Sequence, residues 1–313
     1  MKLVGAFIKM IRLPNLFFIV LTQALFHVSV LDKILWPAGT RPSIDGWDLI
    51  LLSVASVLIA AAGYIINDYF DVNIDQVNKP RGNVVDSIVS RRGAMALHFV
   101  MSGIGILLSG WVAWRTGFWY ILIGNFLCVL LLFGYSVSLK RQLLSGNIVI
   151  SLLSAWVIMV IALSEFSPYV RPGLNTSEIS GKIIRISLLY AGFAFISSLI
   201  REAIKDIEDM DGDARYGCRT MPIAWGVNAT KVYLAVWLIV IIALLIVLQV
   251  YVFRFAWWAA MAYSIALIIA PFVFIFLRLF KATTKKDYHQ LSNWTKLVML
   301  TGILSMAFFY FYL

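Results

Sequence analysis

Charge is scarce in this chain. Asp, Glu, Lys and Arg together form 13% of its 313 residues, where soluble globular domains carry about 25%. That scarcity excludes a disordered chain or a charge-laced coiled coil. Cysteine is scarcer still. Cys128 in an apolar run and Cys218 in a polar stretch cannot staple a secreted scaffold, and they form no metal-binding spacing. His27, His98 and His289 are isolated from one another, so a zinc centre or a Cys/His nucleophile lacks its ligands. Acidic residues are the minority charge, 16 against 26 Lys and Arg, for a net +10. No soluble basic segment exists to hold nucleic acid, so the excess charge points to membrane topology or to an anionic lipid or phosphate ligand.

Apolar residues fill the space that charge leaves. They make up 61% of the chain, aromatics 14%, and tryptophan alone accounts for 11 residues; the mean hydropathy is +0.88. A membrane-spanning helix needs about 20 mostly apolar residues. Nine such runs are present, at 14–31, 48–67, 94–114, 118–138, 147–164, 183–200, 230–252, 255–277 and 294–313. They are continuous rather than alternating, which excludes barrel strands. The first is too long for a cleaved signal peptide and lacks a small-residue cleavage pattern. Pro14 suits a first helical turn, and Pro271 is expected to kink the eighth span. The reading is an all-α polytopic membrane protein.

Basic residues orient it. With nine spans, 19 of the 26 Lys and Arg fall on the amino-terminal side. The other seven, Lys33, Arg41, Arg115, Arg171, Lys182, Arg185 and Arg254, fall opposite. This bias places the amino terminus in the cytoplasm. Trp36, Trp47, Trp111, Trp114, Trp119, Trp257 and Trp258 gather near the external loops as an interfacial belt.

Topology does not account for the acids. Nine of the 16 carboxylates sit in two clusters on the expected cytoplasmic side. One, Asn67-Asp68-Tyr-Phe-Asp71-Val-Asn-Ile-Asp75, leaves span two; the other, from Glu202 through Asp206, Glu208, Asp209 and Asp211 to Asp213, leaves span six. Acids at membrane level are costly and mark function. Asp68, Asp71 and Asp75 are spaced by three and four residues, as are Asp206, Asp209 and Asp213, so on a helix each trio shares one face. Like charges so stacked repel, and a divalent cation reverses the sign. Hard oxygen donors without sulfur or imidazole select Mg²⁺, which binds through a few carboxylates together with substrate phosphates. Lys79, Arg81, Lys140, Arg141 and Lys205 lie beside the rows, as phosphate-binding cations would.

At these residues the sequence resembles the UbiA superfamily of intramembrane prenyltransferases. The first cluster matches that family's Asn-Asp-x-x-Asp-x-x-x-Asp signature. Asp209 and Asp213 match its second, Asp-x-x-x-Asp, followed by Gly217 and Thr220-Met221-Pro222. Tyr135-Ser136 with Lys140-Arg141 and Gly146-Asn147 is similar to the loop after span four, and Arg12-Leu13-Pro14-Asn15 to the amino-terminal signature. Lys205-Asp206-Ile207-Glu208-Asp209 looks most like the branch that makes digeranylgeranylglyceryl phosphate. The loop Lys79-Pro80-Arg81-Gly82-Asn83 departs from the family's usual Arg-Pro-x-x-Ser-Gly stretch.

The resemblance implies one domain over 1–313, a nine-helix bundle around a central cavity, with one aspartate motif in 1–146 and the other in 147–313. It implies Mg²⁺-dependent transfer of a polyprenyl group, such as geranylgeranyl, from its diphosphate to a lipid acceptor such as geranylgeranylglyceryl phosphate. The enzyme would work at the cytoplasmic face of the cell membrane. Asn67, Asp71, Asp209 and Asp213 would bind the metal. Asp68, Asp75 and Asp206 would hold those ligands, or one of them would act as the acceptor's base. Asn15, Lys79, Arg81, Lys140, Arg141 and Lys205 would take the diphosphate, although Asn15 could equally satisfy helix-start amides. Tyr135 would steady the allylic cation, or anchor at the interface. Aromatic acceptors of the quinone, tocopherol or chlorophyll type remain open. A Mg²⁺ transporter should place its acids mid-span. A CDP-alcohol phosphotransferase needs two residues between Asp-Gly and Ala-Arg, where Asp211-Gly212-Asp213-Ala214-Arg215 has one.

Overall fold

The computed structural model describes residues 2–78, 84–166 and 176–313. Lys79 and Arg81, two of the expected phosphate-binding cations, lie outside the described residues. A short helix, α1 (Lys2–Met10), packs Ala6 and Met10 against the start of the bundle. Among the described residues nine helices are long and apolar enough to cross a membrane. These are α2 (Leu13–Leu35), α3 (Trp47–Asn78), α4 (Arg91–Thr116), α5 (Tyr120–Val137), α6 (Ser145–Ala162) and α7 (Thr176–Glu208), then, after the short α8 (Met210–Arg215) and α9 (Met221–Ala224), α10 (Val227–Phe253), α11 (Trp258–Leu279) and α12 (Lys285–Tyr312). Each expected span coincides with one of them, and the chain is an integral membrane protein.

Two helices overrun their apolar stretches. The run ending at residue 67 continues as α3 to Asn78, and that ending at 200 continues as α7 to Glu208. The first aspartate row therefore rides on rigid helix. Side chains and glycines fix the other ends. Ser90 caps α4 by accepting from the Gly93 amide at 3.1 Å, and Gly117 closes it with φ +77°, a conformation that favours glycine. Thr284 and Asp287 cap α12 reciprocally.

Pro271 does disturb the eighth span, and the bundle compensates. A π turn, Ile265–Ile269, precedes it in α11. Proline has no amide to donate four residues back, to Leu267. The Thr301 hydroxyl of α12 donates to that carbonyl at 2.7 Å instead, satisfying a group that lipid could not.

Outward faces are apolar: Val236, Ile239, Leu244, Val247 and Val250 of α10 are all exposed. Trp36, Trp47, Trp111, Trp114, Trp119 and Trp258 are exposed as well, at the helix ends opposite the aspartates. Inward, three apolar clusters tie the helices together.

Candidate active site

A cavity of about 650 Å³ runs down the middle of the bundle. Its polar end is bordered by the ends of α3, α5 and α7, by the turn after α5 and by α8. Every site residue expected from the sequence that lies among the described residues lines it: Asn15, Asn67, Asp68, Asp71, Asp75, Tyr135, Lys140, Arg141, Lys205, Asp206, Asp209 and Asp213. Deeper in, Phe18, Ile59, Leu132, Trp156, Phe193, Met299 and Ile303 form an apolar, aromatic wall.

The first row is held by a lysine from another loop. Asn67 donates its amide to Asp71 at 2.9 Å, one helical turn along α3. The Lys140 ammonium reaches Asn67 Oδ1 at 3.1 Å and Asp71 Oδ1 at 2.5 Å. Lys140 sits on a single 3₁₀ turn, Leu139–Arg141, that joins α5 to α6. Gly146 makes this placement possible, since a Cβ there would lie 2.8 Å from the Lys140 Cα. Ser145 braces the turn by donating to the Leu139 carbonyl at 3.0 Å, and the Arg219 amide donates to the Arg141 carbonyl at 2.7 Å. Burial pulls Lys140 below the ordinary lysine range, while Asp71 opposes that shift.

The second row differs from the single helical face expected. Helix α7 ends at Glu208, and Asp209 adopts φ −97° and ψ 2°, turning the chain into α8. The amides of Asp209 and Asp213 still bond back to the carbonyls of Lys205 and Asp209, at 2.9 and 3.1 Å. The bend packs α8 on the end of α3. Asp213 then feels Asp209 and Asp71 together. Burial, with those two charges adding to it, raises its carboxyl to about 7, against the pull of Lys140 and Lys205.

Several residues that sequence reasoning did not assign to the site complete it. Arg12, at the head of α2 with φ +52°, pairs with Asp68 at 2.9 Å and lies 4.9 Å from the Tyr64 ring centroid. Asn147 donates to Asp206 at 2.8 Å, fixing that carboxylate from α6. Arg201 pairs with Glu202 at 2.8 Å. Lys296, counted from the sequence among topology-setting charges, lies inside α12 and lines the cavity. Its signal was a lone cation at the third residue of the last apolar run. Cys218 also lines the cavity, but burial raises its thiol, which keeps it protonated and inert as a nucleophile.

Among the described residues no three carboxylates or other His, Cys, Asp or Glu groups already converge as a ligand cage. The donor set nevertheless suits Mg²⁺. Asn67, Asp71, Asp209 and Asp213 offer oxygen donors, and a divalent cation would offset both the burial that chiefly lifts Asp213 and the repulsion from Asp209 and Asp71 that adds to it. The Lys140 ammonium already takes Asn67 Oδ1 and Asp71 Oδ1 as its acceptors, as a cation would.

Among the described residues, nine apolar helices around a cavity that ends in carboxylates and cations define a membrane-embedded enzyme. The chain belongs to the UbiA prenyltransferase family, which it matches over residues 34–312. It is therefore a prenyltransferase of the membrane. It is 28% identical over 263 residues to a protein named digeranylgeranylglyceryl phosphate synthase from Methanosphaera stadtmanae, covering 83% of this chain and 87% of that one. A solved structure described as digeranylgeranylglyceryl phosphate synthase in membranes superposes with a TM-score of 0.62 at 20% identity, over 98% of this chain and 99% of that one. A UbiA homologue from Archaeoglobus fulgidus, bound to GPP and Mg²⁺, superposes with a TM-score of 0.57 at 13% identity, over 96% of this chain and 99% of that one. At these identities the two structures establish the shared fold.

Proposed function

We propose that this chain transfers a geranylgeranyl group from its diphosphate to geranylgeranylglyceryl phosphate, releasing diphosphate, with Mg²⁺ held by Asn67, Asp71, Asp209 and Asp213. The observation that carries this reading is the meeting of two oxygen rows, one on α3 and one on α7–α8, above an apolar cavity of about 650 Å³. The family and the relative's name support the choice of donor and acceptor. Residues 1–146 supply the first row and residues 147–313 the second, within a single domain. The excess of basic residues at the aspartate end supports a topology in which that end, and the amino terminus, face the cytoplasm.

In this reading the diphosphate is gripped by Lys140, Arg141 and Lys205, with Asn15 also lining the cavity; Lys79 and Arg81, outside the described residues, are further candidates from the sequence alone. Their charge stabilises the leaving group as its bond to the allylic carbon breaks. Bound Mg²⁺ would supply further neutralisation of that leaving diphosphate. The carbon left behind is electron-poor, and the apolar wall keeps water from it. Tyr135, which lines the cavity, would steady it. The acceptor hydroxyl forms the new C–O bond, the diphosphate leaves with the old bond's electrons, and the hydroxyl proton passes to a carboxylate. Asp68, Asp75 and Asp206 are the candidates for that base, and the pairing of Asp68 with Arg12 and of Asp206 with Asn147 orients two of them.

The test is incubation of purified protein with geranylgeranyl diphosphate, Mg²⁺ and a panel of glycerol-phosphate and aromatic acceptors, read by mass spectrometry. The expected result is the digeranylgeranyl ether with one diphosphate released per turnover. Asp71→Asn and Asp209→Asn should each lower turnover by about 10²-fold or more while the protein still inserts and folds. Normal turnover by Asp209→Asn, or full activity in EDTA, overturns the metal site.

A further inference from the structure

Two cations in the cavity lie deeper than the expected diphosphate grip, whose nearest member, Lys205, is one turn along α7 from Arg201. Lys296 is in the interior of α12, about 16 Å along the axis from Lys285. It lines the cavity, with its ammonium 5.5 Å from the Phe18 ring centroid on α2. Arg201 precedes Asp206 by five residues on α7, about 7 Å further from the polar end. Arg201 also lines the cavity, and its Nε–H is buried without an acceptor.

The charge balance of this layer is incomplete. Arg12 is matched by Asp68 and Arg201 by Glu202. The charges that act on Lys296 are Arg201, Arg12 and Lys205, all positive. Among the described residues no carboxylate pairs with it. A cation inside a span is costly unless something offsets it, and here the protein gathers like charge around it. A phosphomonoester would supply what is missing: negative charge for Lys296 and an acceptor for the Arg201 Nε–H.

We propose that Lys296 and Arg201 form a second anion site in the cavity, for the phosphate of the acceptor lipid. The site lies on the α2, α7 and α12 side, whereas Lys140 and Arg141 reach the aspartates from the turn after α5. Two separated anion sites keep the phosphates of donor and acceptor apart, with the allylic carbon between them. The proposal rests on the reading of this cavity as the meeting place of donor and acceptor. It goes further by making a phosphate on the acceptor a condition of tight binding.

Binding is measured without turnover, by thermal stabilisation of the purified protein in detergent. The probes are geranylgeranylglyceryl phosphate, unphosphorylated geranylgeranylglycerol, inorganic phosphate and 4-hydroxybenzoate. The phosphorylated lipid should bind about tenfold or more tightly than the alcohol, as charged hydrogen bonds warrant. Lys296→Met should erase that preference while leaving the alcohol's affinity unchanged, and Lys296→Arg should keep it. Binding of a non-hydrolysable thiolodiphosphate donor should be the same in all three proteins. Equal binding of the phosphorylated and unphosphorylated lipids overturns the proposal. So does preference for the hydroxybenzoate, equal stabilisation by inorganic phosphate, or a loss of donor affinity in Lys296→Met. Failure of the wild-type protein to release diphosphate in the turnover assay would instead overturn the transfer reaction, and the binding data distinguish the two.

Discussion

The Lys140 ammonium lies 2.5 Å from Asp71 Oδ1, joining residues 69 apart in sequence, and it also holds the Asn67 carbonyl oxygen. The lysine thus sits on oxygens proposed to bind Mg²⁺, and the two cations compete for them. Lys140→Met should lower thermal stability without Mg²⁺, because it strips a mostly buried carboxylate of its partner. Added Mg²⁺ should restore that stability, and with higher apparent affinity than in the wild type. Turnover should fall at the same time, since the diphosphate loses a cation. A titration of melting temperature against Mg²⁺ checks the first part; unchanged Mg²⁺ affinity would show that Lys140 and the metal do not share ligands.

The same lysine depends on a glycine. A methyl at Gly146 would meet the Lys140 Cα at 2.8 Å and the Leu139 carbonyl oxygen at 3.1 Å, both backbone atoms that cannot swing aside. Gly146→Ala should push the 3₁₀ turn off α6 and raise the donor KM by about tenfold, the effect of losing one charged hydrogen bond. The mutant should still insert, because the site of strain is at a helix start rather than in the apolar core. Steady-state kinetics with varied donor and fixed acceptor reads this out, and wild-type KM in the alanine variant counts against it.

Asp213 sets a pH dependence. Its carboxyl, raised to about 7 first by burial and then by Asp209 and Asp71, would have an unfolded value of about 3.9. Between those values the folded protein holds more protons than the unfolded one. This group's contribution to stability therefore falls as pH rises from about 4 to about 7. Metal binding needs the carboxylate, so stabilisation by Mg²⁺ should grow over the same interval and level off above it. Asp213→Asn should flatten the curve. Melting temperatures at several pH values, with and without Mg²⁺, decide the sign.

Much of this was legible beforehand, for physical reasons that also mark where legibility ended. Continuous apolar runs dictate helices whatever their neighbours, so nine spans could be read from residue order alone. The oxygen rows could be read because carboxylates at membrane level demand a reason. The unbroken face expected for Asp206, Asp209 and Asp213 was not found. Asp209 bends the chain so that α8 can rest on α3, a tertiary contact with no local signal. Partners across the bundle were equally hidden. Nothing near Arg12 in sequence points to Asp68, and nothing near Asn147 points to Asp206. Lys296 was read as topology because its position inside the last helix depends on where that helix starts, at Lys285 rather than at the apolar run.

The depth of the cavity should be set by Trp156. This ring lies about 16 Å along α6 from Ser145, where it lines the apolar part of the cavity. Its indole N–H donates to Asn125 Oδ1 at 2.9 Å, and Asn125 in turn donates to Ser109 at 2.8 Å. The ring lies so close to Gly124 that a Cβ there would be 2.1 Å from Trp156 Cζ2. Two substitutions should therefore act in opposite directions. Trp156→Ala removes the wall and should shift preference toward donors longer than geranylgeranyl diphosphate. Gly124→Ala drives the ring into the cavity and should shift preference toward farnesyl diphosphate. In both, binding of inorganic diphosphate should be unchanged, because the polar end is untouched. Competition among farnesyl, geranylgeranyl and geranylfarnesyl diphosphates, with products resolved by mass, measures the shift. Movement of both variants in the same direction would mean that Trp156 supports the bundle rather than measuring the chain.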